Sequence, residues 1–262
     1  MAGAEGVRAA SPREALGIVG SSGLVAIVGG GGKSSLMFAL AEGLPGRVVM
    51  TTTTRIFASQ LERAESVCRL QGSNWQAEFD AHDSSLLVVG RVEGDRAVGV
   101  PPELPAQFLA RAGVDWVVVE ADGSRMLPVK APASHEPVIP PEADLLVVVA
   151  GIDALSGPIR QVAHRPELVS AIAGCSADEV LSPEALAAVL ASCEGGLKGI
   201  PKQARAVLLL NKVQSASQRE AARRVARAAL LEPRVERVAI GALQPEPSAA
   251  LEEGEAWEFW AR

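Results

Sequence analysis

Four glycines in succession, Gly29–Gly32, run into Lys33-Ser34-Ser35 directly after the apolar stretch Leu24–Val28. Each residue type here has a use in holding phosphate. Glycine reaches left-handed dihedrals that aim successive N–H groups at one anion, and it leaves no Cβ in the way. The N-terminus of the helix expected next adds unpaired N–H groups and a positive dipole end. Lys33 supplies a mobile charge for the outer phosphates, and the Ser34 hydroxyl is a ligand type suited to Mg²⁺. Gly29, Gly30, Gly31, Gly32, Lys33, Ser34 and Ser35 are therefore candidate nucleotide-binding residues, with Ser34 also a candidate metal ligand. The standard Walker spacing would place its first glycine at Ile27, so the pattern is a shortened Gly-x-x-Gly-Lys-Ser.

That shortened loop is similar to the loop of the Mur ligases and their folate-ligase relatives. Three more apolar runs end in chemically useful residues. Asp115–Val119 leads into Glu120-Ala121-Asp122-Gly123-Ser124-Arg125. A carboxylate at a strand end beside a phosphate loop holds Mg²⁺ or orients a water. Glu120 is thus expected to share the metal with Ser34. Asp122, two residues on, can face the same side and position a water or an acceptor. Arg47–Met50 leads into Thr51–Thr54, where Thr52 and Thr53 offer hydroxyls for phosphate or Mg²⁺ just past a strand end. Ala206–Leu210 leads into Asn211-Lys212-Val213-Gln214. Asn-Lys-x-Asp at a strand end reads guanine in many GTPases, so Asn211 and Lys212 are expected to touch the nucleotide. Gln214 stands in the aspartate position and has one acceptor oxygen, which leaves ATP and GTP both open.

These sites need strands that deliver them to one edge. Seven short apolar runs recur, Arg234–Ile240 being the last, and most are continuous rather than alternating, as in strands covered on both faces. Helical stretches lie between them. Ser34–Glu42 runs to Gly43 and Glu103–Ala112 to Gly113, each glycine a plausible C-terminal stop. Ser182-Pro183-Glu184 reads as a helix start. Ser217–Leu231 carries Arg219, Arg223, Arg224 and Arg227, which read as a solvated face. Arg91–Gly99, centred on Glu93-Gly94-Asp95, reads as a hairpin. Strands alternating with helices imply crossover units and an α/β fold, P-loop NTPase-like, with a mainly parallel β-sheet flanked by helices and a helical insertion. One nucleotide-binding domain over 1–262 is expected, with 1–22 as an N-terminal extension and 151–200 as the helical excursion.

Bulk composition narrows the partners. A formal charge of −6 argues against a nucleic-acid binder, which needs a basic surface to release counterions. No apolar run reaches the roughly 20 residues that span a bilayer, and the N-terminus lacks a signal-peptide core, so a cytoplasmic protein without membrane contact is expected. Cys68, Cys175 and Cys193 lie too far apart for a zinc knuckle or a redox dithiol.

Taken in order, these motifs resemble the YqeC-type family, the selenium-dependent hydroxylase accessory proteins. The resemblance rests on Val28–Met37, Thr51–Thr54, Glu120–Arg125, Lys130–Pro132, His135–Pro140, Gly151–Leu155, His164–Glu167 and Asn211-Lys212. It implies a role in maturing selenium-dependent molybdenum hydroxylases, with the hydroxylase or its cofactor as partner. It also adds His135, His164 and Arg165 to Glu120 and Asp122 as candidate catalytic residues on the acceptor side. Spacing alone makes no metal site of the two histidines. Two readings follow. One is an Mg²⁺-dependent NTP hydrolase or NTP-using transferase taking ATP or GTP; the other is a nucleotide-gated binding module with little turnover.

Overall fold

The structure is a computed structural model and describes residues 6–71, 74–243 and 257–262. Residues 1–5 of the expected N-terminal extension lie outside the described residues. In chain order the strands are β1 (Val7–Ala9), β2 (Gly23–Gly29), β3 (Val48–Thr52), β4 (Arg55–Phe57), β5 (Val67–Arg69), β6 (Leu86–Val89), β7 (Arg91–Glu93) and β8 (Arg96–Val98). They continue with β9 (Trp116–Glu120), β10 (Val129–Lys130), β11 (Leu145–Gly151), β12 (Ala163–His164), β13 (Arg205–Asn211), β14 (Val235–Gly241) and β15 (Trp257–Ala261). The helices are α1 (Pro12–Ala15), α2 (Lys33–Gly43), α3 (Trp75–Asp80), α4 (Leu104–Leu109), α5 (Ile159–Val162), α6 (Pro166–Ala173), α7 (Pro183–Ala191) and α8 (Ala216–Ala229).

One ten-stranded sheet has the order β1-β15-β14-β13-β11-β2-β9-β3-β6-β5. Its strands are parallel from β14 through to β5; at one edge β15 pairs antiparallel with β14 and β1 antiparallel with β15, so β15 alone is reversed. The protein is therefore mixed α/β, with a large, mostly parallel central sheet flanked by helices. Side chains alternate between two buried faces, as the period of a strand dictates. Leu24, Ala26 and Val28 of β2 join Val117, Val119, Leu146, Val148 and Leu208 on one face, with residues of α4, α7 and α8. Val25 and Ile27 join Val118, Val147, Val149 and Leu209 on the other, against Leu36, Met37 and Leu40 of α2. The continuous apolar runs thus have their cause in double coverage.

Several expectations change in detail. Gly43 ends α2 from inside, and the cap is Leu44, whose N–H returns to the Leu40 carbonyl while its side chain is buried. Thr51 and Thr52 fall inside β3, not past it, because a β-branched residue fits a strand. The arginines of α8 are only in part a solvated face: Arg224 and Arg227 are exposed, whereas Arg219 is buried and Arg223 half-buried. Arg219 and Arg223 pair with Glu258 of β15, and Arg224 pairs with Glu184 of α7. The expected hairpin is β7–β8, and it takes β4 as a third strand in a small separate sheet. Residues 7–15, from the expected extension, form β1 and α1 beside β15. Residues 151–200 contain α5, α6 and α7 and the short strand β12. Cys68, Cys175 and Cys193 are all free thiols, and burial pushes the Cys68 thiol up to about 11. Among the described residues, no helix is long and apolar enough to cross a membrane.

Two things position the site. β2 sits between β9 and β11, and the chain leaves it for β3 on one side before later returning to β11 on the other. Such a reversal opens a crevice at the carboxyl ends of the strands. The glycine turn, Glu120 and Asn211 all stand at that edge.

Candidate functional site

The turn from β2 into α2 is made possible by glycines in conformations other residues avoid. Gly31 has φ +71°, and a Cβ there would lie 2.2 Å from the Gly151 amide nitrogen. Gly32 has φ +136°, and its Cβ would lie 2.2 Å from Asn211 Nδ2. The loop is pressed against β11 and β13 and is not a loose connection. Much of its backbone is already committed: the Gly29 N–H donates to Asp122 Oδ2 at 3.3 Å, Gly30 to the Val149 carbonyl at 2.8 Å, and Gly31 to the Leu127 carbonyl at 3.0 Å. No side chain caps α2. The amides open to an anion are therefore those of the helix's first turn, starting at Gly32, where four N–H groups lack intrahelical partners.

Lys33 is the first residue of α2 and is 4% exposed. Its ammonium donates to the Gly29 carbonyl at 3.0 Å and to Ser124 Oγ at 3.2 Å. It also faces Glu120 Oε1 and Asp122 Oδ1, each at 3.6 Å. One turn of sheet and one loop thus bring both carboxylates to one cation. Ser34 donates its hydroxyl to Glu120 Oε2 at 2.6 Å. Asp122 is 2% exposed, and burial raises its carboxyl above the usual range even though Lys33 and Lys130 pull the other way. Its Oδ1 has no hydrogen-bond partner.

A second cluster adjoins the first. Lys130 of β10 donates to Glu136 at 2.7 Å and to the Gly123 carbonyl at 2.8 Å, and lies 3.2 Å from Asp122. Arg165 grips Glu136 with two hydrogen bonds of 2.7 and 2.9 Å. Burial alone would raise the Glu136 carboxyl, but the Arg165 and Lys130 hydrogen bonds prevail and bring it down from 4.5 to about 2. The sign is that of a depressed acid: the stabilisation is present above about pH 4.5 and is lost as pH falls through about 2. Glu136→Gln is expected to cost on the order of 2–3 kcal/mol in urea unfolding at pH 7, and to remove that acid-limb dependence. An unchanged acid limb in the variant would refute this account of Glu136.

These residues open on a cleft of about 860 Å³. Gly31, Gly32, Lys33, Ser34, Ser35 and Glu120 line it, together with His164, Arg165 and Lys212. Burial, then Arg165, Lys130 and Arg125, lower the His164 imidazole from 6.5 to about 4, so it is neutral at neutral pH. The other candidates are largely occupied by contacts within the protein. Thr52 donates its hydroxyl to the Glu120 carbonyl at 2.8 Å and Thr53 to the Val138 carbonyl at 2.6 Å, so these protons tie strands and loops together. Asn211 donates to the Gly31 carbonyl at 2.8 Å and accepts from the Leu243 N–H at 3.0 Å; it braces the turn from behind. Lys212, with φ +64°, meets Asp153 at 2.7 Å. The His135 side chain is 77% exposed and stands outside the cleft lining, 3.9 Å from Glu136.

Ser124 and Glu136 join the cluster but were not among the expected site residues; Lys130, from a run that carries the family resemblance, joins them. Their signal was present in the Glu-Ala-Asp-Gly-Ser-Arg and His-Glu-Pro-Val-Ile-Pro runs, but no local spacing shows that Ser124 meets Lys33 or that Glu136 meets Arg165. The hard oxygens of Ser34 and Glu120, already in contact with each other, fit a small divalent cation that keeps waters and phosphate oxygens as further ligands.

Fold and site together define an α/β protein with a buried lysine–carboxylate cluster at a glycine-rich strand-to-helix turn. Its family follows from comparison with known proteins. Residues 25–167 match the family described as YqeC protein. A relative from Escherichia coli (strain K12), named Uncharacterized protein YqeC, is 32% identical over 235 residues, which is 87% of this chain and 90% of the relative. The chain belongs to the YqeC family.

Proposed function

We propose that this protein is an Mg²⁺-dependent, P-loop NTPase-like nucleoside-triphosphate-binding protein, an NTP hydrolase or NTP-using transferase that serves the maturation of selenium-dependent molybdenum hydroxylases. One observation carries the nucleotide reading. A buried lysine opens an uncapped eleven-residue helix, its ammonium is returned to the loop carbonyl of Gly29, and the next residue's hydroxyl bonds a strand-end carboxylate. That arrangement offers a cation and free amides to phosphate oxygens, and Ser34 with Glu120 to Mg²⁺. Bound Mg²⁺ would supply charge neutralisation on the phosphates. The chain's own residues do the rest. Lys33 holds the outer phosphates, the first turn of α2 binds the inner ones, and Asp122 keeps Gly29, Lys33 and Lys130 in register. Arg165 and neutral His164 line the same cleft and would face an acceptor or water bound there. The hydroxylase connection rests on the family resemblance of the motifs. ATP and GTP remain equal candidates, because Asn211 braces the turn and Gln214 replaces the expected acid.

One feature supports the nucleotide-gated module as a second reading. Asp122 is fully engaged with the loop amide and two lysines, so it is poorly placed to take a proton from water. Incubating the pure protein with Mg²⁺ and ATP, GTP or CTP, with binding and phosphate release both measured, separates the two. Tight binding without release favours the module, release above background favours the enzyme, and no binding sinks both. Ser34→Ala is expected to weaken binding of the Mg²⁺ complex about tenfold and leave binding in EDTA nearly unchanged, because the hydroxyl serves the metal and not the phosphate. Equal losses with and without Mg²⁺ would remove Ser34 from the metal site.

A further inference from the structure

The cleft carries more positive charge than its acids balance. Three of its cations have close acid partners: Lys33 with Glu120 and Asp122, Arg165 with Glu136, and Lys212 with Asp153. Arg55, Arg63, Arg96 and Arg125 line the same cleft. Arg55 approaches Glu93 only at 3.5 Å with 64% of its side chain exposed, and Arg96 approaches its own neighbour Asp95 at 3.7 Å. Exposed pairs of this kind hold their cations weakly. Arg63 lies over the Phe38 ring at 4.2 Å and Arg96 over the Phe57 ring at 3.8 Å, which fixes the guanidinium planes without neutralising them. Arg125 has no ion pair among the described residues. It is also the first of two successive residues with positive φ, 50° for Arg125 and 65° for Met126, a strained path that places this arginine in the cleft lining.

Sheet order says which end of the cleft these arginines occupy. β4 and β8 stand over the carboxyl end of β3, joined there by the Val100 N–H to the Thr52 carbonyl at 2.8 Å. β3 lies beyond β9 from the glycine turn, whereas Asn211 and Lys212 follow β13 on the opposite side. With the triphosphate against Lys33 and Ser34 and the base toward β13, the arginine end lies past the terminal phosphate.

We propose that Arg55, Arg63, Arg96 and Arg125 form a second anion subsite, which binds a small phosphate-bearing substrate next to the nucleotide's terminal phosphate. This names the substrate class for the nucleotide reading above and, in its position relative to the nucleotide, rests on it. Several guanidinium forks lining one cleft match a doubly charged phosphate with its three free oxygens better than a single carboxylate. A neutral acceptor would leave this charge unused.

The test uses the full chain, with inorganic pyrophosphate as the probe in calorimetric titration. Wild-type protein preloaded with Mg²⁺ and a non-hydrolysable nucleotide is expected to take up one further equivalent of pyrophosphate. Arg55→Gln/Arg96→Gln, both on exposed side chains, should weaken that step at least about tenfold and shift nucleotide affinity less than about twofold. Arg125→Gln, on a different element, should weaken it as well. The phosphate loop is then disabled by Lys33→Ala/Asp122→Asn, which removes both charges of the buried pair and is expected to keep the fold, as its melting temperature checks; arginine-dependent pyrophosphate binding should persist in that variant. If nucleotide fails to bind but this binding persists, the nucleotide reading alone falls. If preloaded protein takes no pyrophosphate, or the arginine variants bind it as wild type does, the second subsite is overturned.

Discussion

Lys33→Ala is expected to lower nucleotide affinity on the order of 100-fold, the equivalent of losing a charge-assisted hydrogen bond of about 3 kcal/mol. The same change has a folding cost that must be separated from the binding loss. Lys33 faces the buried Asp122, whose carboxyl is already raised by burial. Removing the ammonium leaves Lys130 as the remaining cation beside it, at 3.2 Å. Breaking a buried pair in this way costs about 3 kcal/mol or more. The sign with pH is that of a raised acid. Ionised Asp122 is the unfavourable state, so the variant's deficit grows as pH rises from the unfolded-state value toward the folded one and shrinks in acid. Lys33→Ala/Asp122→Asn should therefore recover most of the melting temperature while still failing to bind nucleotide. Recovery of binding in the double variant would show that Lys33 serves folding and not phosphate.

Glu120→Gln carries the second large effect. The amide oxygen can still accept the Ser34 hydroxyl, so the 2.6 Å contact has a substitute and the fold should tolerate the change. What disappears is the negative charge beside the proposed Mg²⁺ site. Single-turnover phosphate release at saturating nucleotide is expected to fall on the order of 100- to 1000-fold, with binding reduced about tenfold or less. For a protein that acts as a gated module the wild type itself releases little phosphate, and the variant would then change only the Mg²⁺ dependence of binding. Unaltered release and unaltered Mg²⁺ dependence together would exclude Glu120 as a metal ligand.

Much of the fold was legible because its cause is local. A strand buried on both faces must be apolar throughout, so Leu24–Val28, Leu86–Val89 and Ala206–Leu210 announced themselves, and helices between them implied crossovers. The edge strands β1 and β5, and β15 beside β1, were not legible; three to five residues carry too little periodicity, and β15 is defined by its pairing with β14 and by Glu258 meeting Arg219 and Arg223. The same arginines misled as a solvated face, since a helix pattern shows where charges lie and not what they meet.

The glycine turn shows the division most clearly. Its residue types alone determined a loop with left-handed backbone, a lysine at the start of a helix and a hydroxyl beside it, because those are consequences of what glycine, lysine and serine can do. Only the tertiary structure decided that Gly29, Gly30 and Gly31 give their amides to Asp122, Val149 and Leu127, so that the open amides are those of the first turn of α2. It likewise placed Asn211 behind the loop as a brace, and gathered Ser124, Lys130 and Glu136 around the acids. Burial and hydrogen-bond partnership between residues about 90 and 180 positions apart depend on sheet order, and sheet order is set by the packing of the whole chain.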